Sequence, residues 1–195
     1  MGKVVKFPFK AEPKFELKQV EKRTRKNPDQ LDLFSAEEGG TVRTLHGVFE
    51  EALIHDSNNE GDAADLYWKA IEKGECAADA FCNLGILEYN AGNKAKAIER
   101  LTSALKEDPR HFESHYNIGN LYFDVQNYEL AVFHYQVALE IQPEYSGIYY
   151  NLALAVASLQ RIDEAIEHLE KYVELEDSPE GHDLLAKFLQ LRSIQ

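Results

Sequence analysis

The side chains of this sequence that could do chemistry are seven histidines, two cysteines and an excess of carboxylates. His111 and His115 are four residues apart, and on a helix this spacing would place both imidazoles on one face, where they could share a metal ion. No third ligand accompanies them, so the pattern favours two partly exposed helix residues and no metal. Cys76 and Cys82 do not form a CxxC motif. We expect Cys82 to be a small binding-surface residue rather than a nucleophile, because no base is placed beside it.

Motifs that mark an active site are missing from the sequence. It contains no Gly-rich phosphate loop, no GxSxG and no HExxH. The many Asp and Glu residues suit outward, solvated helix faces better than a catalytic carboxylate pair. The sequence therefore favours a protein that is not an enzyme and that needs no cofactor.

Composition predicts a globular core in a reducing compartment. Of 195 residues, 44% are apolar, yet no apolar run approaches the roughly 20 residues of a membrane-spanning helix. The first residues lack the apolar stretch of a secretory signal, and the two cysteines do not form a disulfide framework. We expect a cytoplasmic protein that does not enter a membrane.

Charge divides the chain into a basic arm and an acidic body. Residues 1–26 carry nine Lys or Arg and three Glu, a net charge of +6, so the remainder carries −19 of the total of −13. Aromatic residues among the lysines suit contact with single-stranded nucleic acid. The acidic body would repel phosphate, however, which argues against direct nucleic-acid binding.

Three segments repeat at a spacing of 34 residues, and they are the elements that would position any functional side chain. Each begins with Asn, an apolar residue and Gly or Ala: Asn83–Gly85, Asn117–Gly119 and Asn151–Ala153. Small and large residues follow in the same register, namely Ala97, Ala131 and Ala165, then Leu101, Tyr135 and Leu169. A weaker copy precedes them, with Ala63, Tyr67 and Ala70 in its second helix and residues 42–54 in its first.

This pattern resembles the tetratricopeptide repeat family. The resemblance implies an all-α, right-handed superhelical solenoid of antiparallel helix pairs, with three clear repeats, one degenerate N-terminal repeat and a C-terminal capping helix after Ser178. The small residues leave space where paired helices cross, and the large ones fill the space between neighbouring pairs. We expect the repeat domain to cover residues 41–195, behind a largely disordered, basic arm at residues 1–40.

The family resemblance implies a concave groove that holds a peptide or a partner protein, which would make the chain an adaptor or scaffold. Its lining positions are aromatic, amide, acidic and apolar, with no Lys or Arg. They are Asp79, Cys82, Ile86, Tyr89, Asn90, Glu113, Tyr116, Asn117, Asn120, Phe123, Asp124, Tyr150, Asn151 and Leu154. The alternative for any one of these aromatic residues is packing against a neighbouring repeat.

The charge of these positions restricts the partner. Some family members grip acidic chaperone tails with lysines, an arginine and asparagines; only Asn117 matches that set, while Cys82, Gly147 and Asn151 replace its basic residues. An acidic groove should prefer neutral or basic peptides. The chain's own arm, with Phe7 among its lysines, fits that description.

A short motif in the arm offers a second hypothesis. Gln30, Leu31, Asp32, Leu33 and Phe34 resemble the pentapeptide by which bacterial replication and repair proteins bind the sliding clamp. This resemblance implies a DNA-replication or repair accessory factor whose Leu and Phe side chains enter an apolar cleft of the clamp. The alternative is that the same apolar side chains pack on the first repeat helices.

Overall fold

The structure is a computed structural model that describes residues 47–193. The basic arm and the pentapeptide Gln30–Phe34 lie outside this range, so docking on a sliding clamp stays a prediction. Within the described range the chain forms nine helices and no strand. They are α1 Val48–Ser57, α2 Ala63–Glu72, α3 Ala77–Asn90, α4 Lys94–Glu107, α5 Phe112–Asp124, α6 Tyr128–Ile141, α7 Ser146–Ser158, α8 Ile162–Leu175 and α9 Pro179–Arg192.

The helices form four antiparallel pairs that stack in chain order, and α9 packs on the last of them. Tight turns join the helices of a pair because the second residue after the first helix adopts a left-handed conformation. Gly92 does so with φ 83°, and Asn59, Gln126 and Gln160 do so without being glycine. The predicted all-α repeat architecture is confirmed.

The repeated small residues lie where the paired helices cross. The alanine at the repeated position is buried in every pair. The large residues four positions later are buried too: Tyr67, Leu101, Tyr135 and Leu169. Three apolar clusters run through the stack, one over α1–α3, one over α3–α5 and one over α5–α9. Each pair thus buries its apolar face against its neighbours, as expected for a solenoid.

The final helix covers the end of the stack. Ser178 accepts a hydrogen bond from the amide of Gly181 at 3.2 Å, and Pro179 occupies the first helical position. Leu184 and Phe188 are buried against α8, while Leu189 on the opposite face is exposed. Among residues 47–193, no helix is long and apolar enough to cross a bilayer.

Candidate functional site

An asparagine in the first helix of each clear repeat joins neighbouring pairs. Asn83, Asn117 and Asn151 have no exposed surface. Asn83 donates to the Tyr67 hydroxyl at 3.2 Å, and Asn117 donates to the Cys82 sulfur at 3.6 Å. Asn151 donates to the hydroxyl of Tyr116 at 3.0 Å. Because each amide bonds across to another helix, these residues fix the register of the stack.

Most of the predicted groove residues lie in the seams between helices. The first helices of successive pairs contact one another directly as well as their own partners. Side chains on the facing sides are therefore covered. The nine buried members of the predicted set are Cys82, Ile86, Glu113, Tyr116, Asn117, Asn120, Tyr150, Asn151 and Leu154. Five remain accessible to a partner: Asp79, Tyr89, Asn90, Phe123 and Asp124.

Cys82 differs from the sequence expectation, because the structure places it inside the seam and not on a surface. It has no exposed area and accepts a hydrogen bond from Asn117. Burial raises the pKa of its thiol to about 12, so the reactive thiolate is suppressed at neutral pH. The second thiol, Cys76, is exposed at the start of α3.

The two histidines considered as metal ligands face different partners and are buried, not partly exposed. His111 caps α5 by accepting from the Ser114 amide at 3.2 Å, and its Nε2 lies 2.8 Å from Asp79 Oδ1. His115 Nε2 lies 3.2 Å from the carbonyl oxygen of Pro109, and its Nδ1 lies 3.1 Å from His134 Nδ1. Each imidazole already makes hydrogen bonds to its own partners, so the two rings do not converge on a shared ion.

The bond to Pro109 defines the protonation of the histidine pair. A carbonyl oxygen only accepts, so His115 Nε2 carries the hydrogen and its Nδ1 accepts from His134 Nδ1–H. Burial is the main cause that lowers the pKa of both rings, to about 4 for His134. The pair is therefore neutral at pH 7.

One accessible edge of the predicted groove holds a compact polar cluster. Asp124 accepts from the Tyr89 hydroxyl at 3.4 Å and lies 2.5 Å from Lys94 Nζ. The hydrogen bond from Lys94 to Asp124 raises the pKa of the Lys94 ammonium group. Phe123 packs edge-on against Tyr128 with ring centroids 5.2 Å apart. The residues predicted for the groove did not include Lys94. Its position at the start of α4, opposite the end of α3, was the signal that could have identified it.

The opposite edge opens into an acidic cleft of about 700 Å³ between the first pairs and the connection from α4 to α5. The described part of the chain contributes no Lys or Arg to its lining, which contains His111 and five carboxylates: Glu50, Glu75, Asp79, Glu107 and Asp108. Phe49, Ala77 and Ala78 add apolar surface. Glu75 accepts from the Phe49 amide at 3.3 Å, which holds α1 at the rim. We call this feature the acidic cleft.

Of the residues that line the acidic cleft, only Asp79 was in the predicted groove set. The other carboxylates come from α1, from the end of α4 and from the connections between repeats, and they lie outside the set predicted along the first helices of the clear repeats. Because five carboxylates gather there and no Lys or Arg of residues 47–193 lines the cleft, it favours a positively charged ligand.

Comparison with known proteins supports the repeat architecture. Two tetratricopeptide repeat family models match the sequence, one over residues 82–146 and the other over residues 122–188. No curated protein sequence matches the chain.

Solved structures with the same fold include MamA 41-end from Desulfovibrio magneticus RS-1. It has a TM-score of 0.66 and 20% identity, covering 75% of this chain and 84% of that one. The first tetratricopeptide domain of human RPAP3 has a TM-score of 0.55 and 24% identity, covering 60% and 92%. The first such domain of Spaghetti (RPAP3), bound to the HSP90 peptide SRMEEVD, has a TM-score of 0.56 and 24% identity, covering 60% and 95%.

Proposed function

From its tetratricopeptide repeats, which span residues 82–188, we propose that this chain is an adaptor that binds a basic segment of a partner protein in the acidic cleft. The observation that carries this proposal is the lining of the acidic cleft, which among the described residues has five carboxylates, several apolar side chains and no Lys or Arg. A Lys- or Arg-rich segment would meet these carboxylates with its charges and the apolar side chains with its aliphatic stems.

The chain differs in charge from a receptor for acidic tails. The structural neighbour bound to SRMEEVD holds a peptide with three acidic residues. The first-helix positions where basic residues would grip such a tail are Cys82, Gly147 and Asn151 in this chain. Cys82 and Asn151 are also buried. Carboxylates of an acidic peptide would therefore meet a surface of their own sign.

The seams make this cleft rigid. Asp79 is held by His111, and Glu75 by the Phe49 amide. Neither contact involves a flexible Lys or Arg that would have to be displaced. A prearranged surface saves the ordering cost that a mobile one would impose on binding.

Binding of two labelled peptides, one rich in Lys and Arg and the other SRMEEVD, tests the proposal by fluorescence anisotropy. We expect only the basic peptide to bind, with affinity that falls as salt rises. Glu107→Lys should weaken it roughly ten-fold, equivalent to about 1.4 kcal/mol. Glu140→Lys is the matched control, because it makes the same charge change in the last turn of α6, away from the acidic cleft.

Two outcomes would overturn this assignment. One is equal binding of the basic and acidic peptides. The other is an equal effect of Glu107→Lys and Glu140→Lys, which would show that the overall charge attracts the peptide without a defined cleft.

A further inference from the structure

The turn between α1 and α2 differs from the corresponding turns of the other pairs. It contains five residues, 58–62, whereas the turns at 91–93, 125–127 and 159–161 contain three each. The longer turn brings two carboxylates back towards the last part of α1. They meet His55, which is one quarter exposed.

Three possible metal ligands converge in this turn. His55 Nδ1 lies 2.8 Å from Glu60 Oε2 and 2.7 Å from Asp62 Oδ1. One donor atom from each residue lies within 4.8 Å of the other two. Nδ1 carries at most one hydrogen, so one ring nitrogen cannot make two linear hydrogen bonds to both carboxylates at once.

The carboxylate of Asp62 is turned away from its usual local role. Asp62 is the N-cap residue of α2, but its side chain makes no capping hydrogen bond. An N-cap Asp ordinarily accepts from an amide of the first helical turn and so stabilises the helix. Here it bonds to the His55 ring instead.

A neighbouring amide orients the second carboxylate. Asn58 Nδ2 donates to Glu60 Oε1 at 3.1 Å, which leaves Oε2 directed at His55. Support of this kind, from residues around the ligands, is typical of metal sites, where it fixes the ligand atoms before the ion arrives.

We propose that His55, Glu60 and Asp62 bind a divalent transition-metal ion, with Zn²⁺ as the best match. The ion's two positive charges would balance the two carboxylates that crowd one imidazole. A nitrogen ligand favours Zn²⁺ over Ca²⁺ and Mg²⁺, which prefer oxygen. Three protein ligands leave a position for water, and the partial exposure of all three residues admits it. Bound metal would clamp the end of α1 to the start of α2.

Calorimetric titration of the tag-free full chain, first stripped with EDTA, tests this site with Zn²⁺ alone and then with Mg²⁺ and Ca²⁺. We expect one Zn²⁺ site, weaker or no binding of the other two ions, and a Zn²⁺-dependent rise in Tm. His55→Ala and Asp62→Asn should each lower the Zn²⁺ affinity at least about ten-fold and remove the rise in Tm. Circular dichroism would verify that both variants remain helical.

The matched control is His182→Ala. His182 is an exposed histidine whose Nε2 lies 2.7 Å from Asp177 Oδ1. It therefore has one carboxylate partner, whereas His55 has two. We expect this variant to bind Zn²⁺ like the unaltered chain. Unchanged affinity in His55→Ala, an equal loss in His182→Ala, or no Zn²⁺ binding by the unaltered chain would each overturn the proposal.

Discussion

Gly119 provides a sharp test of how the middle repeat is packed. A methyl group at this position would lie 2.5 Å from Cε1 and 2.6 Å from Cδ1 of Tyr135. The Tyr135 ring is fully buried, and its hydroxyl donates to Asn120 Oδ1 at 2.7 Å. The ring cannot move aside without losing this bond. We therefore predict that Gly119→Ala destabilises the chain, although alanine is the better helix former.

Two opposing terms set the size of this effect. Overpacking a well-packed core costs about 1–3 kcal/mol, and Gly→Ala inside a helix gains about 1 kcal/mol. The net loss is on the order of 1 kcal/mol, which lowers Tm by about 2–4 °C for a chain of this size.

The third repeat shows how the clash is avoided. Ala153 occupies the register of Gly119, and its partner is Leu169 in place of tyrosine; both are fully buried. Gly119→Ala should therefore become neutral or stabilising in a Tyr135→Leu background, where the side chain is smaller and unanchored. The difference between the two backgrounds is the coupling free energy of the pair.

Urea unfolding followed by circular dichroism measures all four members of this cycle. Gly61→Ala is the control, because no atom lies within 4 Å of the methyl group it would add. The reasoning is refuted if Gly119→Ala stabilises the chain while Tyr135 is present, or if its effect is the same in both backgrounds.

Three further predictions concern buried polar groups and thiols. Burial lowers the pKa of His134 to about 4. The contribution of its neutral ring to the free energy of unfolding is therefore complete above pH 6.5 and is lost as the pH falls towards 4. After a discount for the partial exposure of the ring, this loss is about 1–2 kcal/mol. Thermal unfolding between pH 4 and 7.5 checks this, and His134→Phe should flatten the profile. Asn151→Ala should cost about 1–3 kcal/mol because it removes two buried hydrogen bonds, to the Tyr116 hydroxyl and to Asn120 Oδ1. Asn90→Ala, at an exposed position, should cost under about 0.5 kcal/mol in the same urea assay. A thiol reagent should label Cys76 in the folded chain and Cys82 only after unfolding, as mass spectrometry would show; rapid labelling of both would contradict the buried position.

The fold is predictable from the sequence where a signal occurs several times. Ala97, Ala131 and Ala165 share one register, and all three lie buried where paired helices cross. Their agreement removes the ambiguity that any single apolar helix would leave. Ala63 continues the register, but the turn before it has two more residues than the other turns. A spacing of 34 does not predict the path of those residues, which depends on local bonds such as that of His55 to Asp62.

The candidate site is less predictable because its location depends on angles between helices. Successive helix residues point about 100° apart, so a small rotation of one pair on the next moves a side chain from the groove into a seam. Tyr116 and Asn117 illustrate this, since both contact neighbouring first helices and are buried. Sequence spacing shows which residues share a helix face, but not what covers that face.

The same geometry makes stability and binding separable in this chain. The seam residues have little or no exposed surface, so substitutions such as Asn151→Ala should lower Tm and leave the peptide affinity of the remaining folded protein nearly unchanged. Glu107 at the acidic cleft is exposed, so Glu107→Lys should change affinity with little effect on Tm. If Asn151→Ala weakens peptide binding as strongly as Glu107→Lys while the chain stays folded, the peptide contacts the inner helices and the acidic cleft is not its site.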